Sequence, residues 1–123
     1  HRNFHLRLGR IPNEELTTYV AASDAIVLPF RKILNSGSAI LATTLARPIV
    51  APAAGALPEM YSAYPSLATL YDPELPLGEL IPTLRALTQR HAAVRAQEHH
   101  AFLEEYSWDQ IGDTFIRECL RVP

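Results

Sequence analysis

Two short, unbroken apolar runs constrain this chain more than any other feature. Ala25-Ile26-Val27-Leu28-Pro29-Phe30 and Pro48-Ile49-Val50-Ala51-Pro52 contain no polar residue to turn toward water. A strand that is apolar on both faces needs cover on both, as in a parallel sheet flanked by helices. Prolines at the ends of the second run suit strand ends rather than strand centres. Helical patterns follow both runs. After the loop Arg31 to Asn35, Ser36-Gly37-Ser38 opens an apolar helix over Ala39 to Ala46, which Arg47-Pro48 stops. Ala53-Ala54-Gly55 is a turn, and Leu57-Pro58-Glu59-Met60-Tyr61 reads as a short helix with proline near its start.

The rest of the chain repeats the alternation. Asn3-Phe4-His5-Leu6-Arg7-Leu8 alternates as a strand does, and Gly9 and Pro12 end it. Asn13 is placed to cap a helix that reaches about Ser23, with Glu14 and Glu15 in its first turn and Leu16, Tyr19, Val20 and Ala22 as its apolar face. Ser66 to Tyr71 reads as a further strand, closed by Asp72-Pro73. Helices are predicted from about Leu77 to Arg90 and from His91 to Arg121, the latter broken at Tyr106-Ser107-Trp108-Asp109. Ser107 or Asp109 would cap the last of them, whose apolar stripe is Ile111, Phe115, Ile116, Cys119 and Leu120. Strand and helix alternate four times, so the expected class is α/β, with a Rossmann-like parallel sheet. Ligand loops then belong at the carboxyl ends of the strands.

Composition excludes several function classes. At 123 residues the chain is one domain with room for a core. A net charge of −2 supplies no basic excess for a nucleic acid. No apolar stretch approaches the ~20 residues of a membrane span. The one cysteine, Cys119, forms no internal disulfide and has no Cys or His at metal-ligand spacing, so a cytoplasmic location and no metal are expected. The chain begins at His1, which reads as a piece of a longer or processed protein.

The loop and helix start Arg31-Lys32-Ile33-Leu34-Asn35-Ser36-Gly37-Ser38 carry the strongest chemical pattern. Free backbone N–H groups, a helix dipole and two cations favour an anion such as a diphosphate, and Gly37 lets the backbone come close. The plainer reading is that Ser36 only caps the helix and Arg31 is solvated. Glu59 is a second candidate, in the first turn of its short helix; the plainer reading there is dipole compensation. His91, His99 and His100 lie on a polar helical stretch and read as solvated. No Ser/His/Asp set, paired carboxylates, Asp-x-Asp or P-loop is present, so no catalytic residue is assigned.

In order and spacing, Ile11-Pro12-Asn13-Glu14-Glu15-Leu16, Ala22-Ser23-Asp24-Ala25-Ile26-Val27-Leu28-Pro29-Phe30, Ser36-Gly37-Ser38, Arg47-Pro48-Ile49-Val50-Ala51-Pro52 and Gly55-Ala56-Leu57-Pro58-Glu59 form one set. The set resembles the C-terminal domain of retaining-type GT-B glycosyltransferases, the group 1 glycosyl transferases. Tyr106-Ser107-Trp108 before a final helix resembles that family's usual ending. The resemblance implies a domain that binds a nucleotide-sugar donor and needs no metal or cofactor, with acceptor contacts on a separate N-terminal domain. Attachment at the inner membrane face is an option through that domain. It implies a donor diphosphate or sugar at Asn35 to Ser38 and the base beside the backbone of Arg10 and Ile11, to which the reading of the residues adds Arg31 for charge and Glu59 facing the same cleft. It also implies the strand order 3-2-1-4-5-6, with two further strands between Phe4–Leu8 and Ile26–Pro29. A chain that starts at the third strand would leave an edge exposed, so it is expected to self-associate or to belong to a longer protein. Departures from the family pattern are specific. Its two donor-helix glutamates fall on Ile33 and Leu41, its glycine before Arg47 is Ala46, and its donor-binding Arg and Lys belong to an earlier segment. Two other readings compete: a non-transferase GT-B enzyme such as a sugar-nucleotide epimerase, and a non-catalytic α/β interaction module. A receiver-like module would want a late lysine, and Lys32 is the only lysine.

Overall fold

The computed structural model describes residues 5–30, 32–74, 81–82 and 92–119. In chain order the elements are α1 (Asn13–Ala22), β1 (Ile26–Val27), α2 (Gly37–Thr44), β2 (Ile49–Pro52), α3 (Leu57–Tyr61), β3 (Ala68–Tyr71), α4 (Ala92–Glu105) and α5 (Trp108–Cys119). The three strands form a parallel sheet in the order β1-β2-β3. Ile49 of β2 is opposite Ile26 on one side and Ala68 on the other. All four β2 residues are buried, as a central strand covered on both faces must be.

The expected α/β class with a parallel sheet is observed, and several expected boundaries are corrected. Residues 5–8 are not a strand: they are irregular and exposed, and Arg7 bonds Glu15 and the Tyr19 hydroxyl on α1. A strand exists only through a neighbour, and no described strand lies beside this segment. The expected helix start at Asn13 is displaced by one residue. Pro12 takes the cap position with φ −57° and ψ 146°, its carbonyl accepts from Leu16 N–H at 2.9 Å, and no side chain caps the helix. Tyr19 and Ala22, assigned to the apolar face of this helix, are exposed, while Val20 is buried and Leu16 packs against the core. Ser107, not Asp109, caps α5: its Oγ accepts from Gln110 N–H at 3.3 Å. Of the helix expected over 77–90, only residues 81–82 lie among those described, and they are helical.

The start of α2 follows its sequence. Ser36 is extended, and its Oγ accepts from Ala39 N–H at 3.1 Å. The far end is a Schellman cap, with Arg47 N–H on Ala42 carbonyl at 2.8 Å and Ala46 N–H on Thr43 carbonyl at 2.9 Å. That cap holds Ala46 at φ +54°, a left-handed conformation that favours glycine.

The core joins α2, β2, α3 and α4. Tyr61 of α3 is buried, and its hydroxyl is 2.7 Å from Thr43 Oγ1 and 3.3 Å from the Ala39 carbonyl oxygen. Phe102 of α4 is fully enclosed. It stacks on Tyr61 at 5.5 Å and on Tyr106 at 4.6 Å, and it meets Tyr64 edge-on at 5.4 Å. Polar contacts hold α4 in the same place. Ser66 N–H donates to Glu98 at 2.7 Å, the Tyr64 hydroxyl donates to Glu105, and His99 Nε2–H donates to the Thr44 carbonyl at 3.3 Å. His99 is therefore a docking contact rather than a merely solvated side chain. No helix among the described residues is long and apolar enough to cross a membrane.

Candidate functional site

The loops after β1 and β2 leave the same end of a parallel sheet. Leu28 N–H still donates to Val50 carbonyl at 2.8 Å, extending the β1–β2 ladder, and Ala53 N–H donates to Tyr71 carbonyl at 2.7 Å. Beyond that point the two loops clasp each other. Ala56 N–H donates to the Leu34 carbonyl at 2.8 Å. Gly55, at φ +59°, comes so close that a Cβ there would stand 2.4 Å from the Ile33 carbonyl oxygen and 2.5 Å from that of Leu34. Only glycine fits this position, for backbone conformation and for space. Gly55 read from sequence as a plain turn residue; its part in holding the clasp depends on the approach of a remote loop.

The clasp sets the start of α2 beside the β2–α3 turn. Asn35, Gly37 and Ser38 are exposed, and Ser36 is buried. The Ser36 Oγ accepts from Ala39 N–H and so caps the helix. Ile40 N–H donates to the Ser36 carbonyl at 3.1 Å. The backbone N–H groups of Gly37 and Ser38 are left without an acceptor among the described residues. A Cβ at Gly37 would meet nothing within 4 Å. Lys32 is exposed in the same loop, and Arg31 lies outside the described residues.

The other candidates are less closely joined. Glu59 is exposed on α3, and its charge is among the causes that hold the Tyr106 phenol above its ordinary pKa, after burial and Glu105. Arg10 is exposed and Ile11 half-buried in the irregular segment that Gly9, at φ +97°, turns into α1. No hydrogen bond or ion pair among the described residues ties Arg10 or Ile11 to the start of α2. Ile33 and Leu41, which stand where the resembled family has glutamates, pack against the hydrophobic core. Among the described residues no three or more His, Cys, Asp or Glu side chains gather to hold a metal ion.

The arrangement therefore offers two amide donors, the Ser38 hydroxyl and the positive end of an eight-residue helix to an anion. Asn35 to Ser38 contain no group suited to proton transfer near neutral pH. Compared with protein-family models, with curated proteins and with solved structures, the chain shows no match.

Proposed function

We propose that this chain is the donor-binding domain of a glycosyltransferase of GT-B type, which holds the diphosphate of a nucleotide sugar at the start of α2. The observation that carries this reading is the pair of N–H groups at Gly37 and Ser38 that have no acceptor among the described residues, at the carboxyl end of the sheet. The ordered sequence set supports it, as does Ala46, whose positive φ explains a glycine at that position in the resembled family. With Ile33 and Leu41 packed inward, the ribose and sugar hydroxyls would be held by groups other than the family's carboxylates. Sugar transfer would require the acceptor domain, so the chain alone is expected to bind donor without transferring it.

Calorimetric titration with UDP, GDP and ADP tests the reading. One of them should bind, and Gly37→Val should weaken it at least about ten-fold, because a branched side chain would stand where the phosphate approaches. Since a Cβ at this position would meet nothing within 4 Å, thermal melting should stay near that of the parent chain. Absence of binding by all three, or parent affinity in a folded Gly37→Val chain, overturns the proposal.

A further inference from the structure

The first turn of α2 is held from inside the core as well as capped from its own end. Ala39 stands in the same turn as Gly37 and Ser38 and is fully buried. Its N–H donates to the Ser36 Oγ at 3.1 Å, and its carbonyl accepts from the Tyr61 hydroxyl at 3.3 Å. Tyr61 has one hydroxyl proton. With that proton on Ala39, the Thr43 hydroxyl is the donor in its 2.7 Å contact with the Tyr61 oxygen. Thr43 is fully buried and Tyr61 nearly so, so the chain of hydrogen bonds from α3 to α2 is shielded from water.

Packing alone does not call for this hydroxyl. The stack of Tyr61 on Phe102 at 5.5 Å needs only a ring. Both the proton and the oxygen of the phenol are instead directed to α2. The clasp at Gly55 holds the loop that enters α2, and Tyr61 holds the first turn itself. We infer that Tyr61 is a positioning residue for the diphosphate, which fixes through the Ala39 carbonyl where the Gly37 and Ser38 N–H groups are presented. This inference rests on the nucleotide-sugar reading and adds to it a residue that acts through α2 without touching the ligand. Tyr61→Phe removes the tie and leaves the buried Thr43 hydroxyl without its partner. That hydroxyl can then turn back to the Ala39 carbonyl four residues earlier, a bond that bends helices. Tyr61→Phe/Thr43→Val takes away both hydroxyls at nearly constant shape, which is close to neutral for stability.

Titration of the whole chain with UDP, GDP and ADP, beside thermal melts and amide hydrogen exchange, separates positioning from plain stabilisation. The double variant should melt near the parent chain and yet bind the preferred nucleotide about five-fold more weakly or worse. Its Ala39 amide should exchange faster than in the parent, while the Ile49 amide, bonded to Leu67 in the sheet, keeps its rate. Thr43→Val alone keeps the bond from Tyr61 to Ala39 and should bind as the parent does. Parent affinity in the double variant overturns the inference, as does an affinity lost in Tyr61→Phe that returns together with stability when Thr43→Val is added. A loss in Thr43→Val alone equal to that of the double variant also overturns it. These three results leave the nucleotide-sugar reading standing, because the parent chain still binds; binding of none of the three nucleotides by the parent chain overturns both.

Discussion

Residues 5–8, which alternate polar and apolar, and residues 49–52, which are apolar throughout, are both short segments of strand-like pattern, and they have opposite fates. Ile49–Pro52 has a strand on each side and is buried throughout. Residues 5–8 have no described strand beside them, Leu6 and Leu8 face water, and Arg7 reaches to α1. His5 and Arg7 mark the first segment as one that cannot be buried on both faces, and the lack of a described neighbour leaves it irregular. A strand's backbone groups are satisfied only by adjacent backbone, and its side chains only by a covering layer. The stability of this molecule should accordingly be concentrated around β2 and the aromatic contacts of Phe102.

Phe102→Ala tests that contrast most severely. It removes a fully enclosed ring that three other rings touch, and should cost about 3–5 kcal/mol in denaturant unfolding. Leu8→Ala, at an exposed position, should stay within about 0.5 kcal/mol. Comparable costs for the two would erase the distinction. Next in size, Gly55→Ala forces a left-handed alanine into two backbone carbonyls and should cost about 2 kcal/mol or more in the same assay. Ala46→Gly acts in the opposite direction. Relief of the left-handed alanine in the α2 cap should raise stability by about 1 kcal/mol, read as a higher melting temperature.

The smallest effect is a pH dependence. The hydrogen bond to Glu105 leads the causes that push the Tyr64 phenol from 10.0 up to about 12, and burial adds to it. The folded state thus favours the protonated phenol. Its contribution is complete below pH 10 and should fade as pH rises from there toward 12. Tyr64→Phe should flatten that part of the stability profile; an unchanged slope would show that the contact to Glu105 contributes nothing.

What could be read from sequence follows the same division. The β2 run could be read because its residues are apolar without alternation, and the Ser36 cap because a serine before an apolar helix has few other uses. The strand expected over 3–8 could not be settled, since alternation describes two faces but not whether a neighbour exists. Pro12 in place of Asn13 as the α1 cap reflects a proline ring that fixes φ while ψ stays extended. The candidate site was legible at Ser36, Gly37 and Ser38 and illegible at Gly55. That glycine's importance lies in the carbonyls of Ile33 and Leu34, more than twenty residues away in the chain. Phe102 was overlooked because its neighbours in α4 are mixed in polarity, and nothing local announces a ring that Tyr61, Tyr64 and Tyr106 enclose.

The order of the strands also bears on how the molecule comes into being. Because β1, β2 and β3 lie side by side in the order in which they are synthesised, each new strand can join the edge left by the one before it. None of the described strands has to be threaded between two that have already paired. Phe102 emerges only after all three strands, and its ring closes against Tyr61 and Tyr64, which are already part of the sheet's helical cover. Assembly of the described sheet can therefore run in one direction along the chain, with α4 closing over it after the strands.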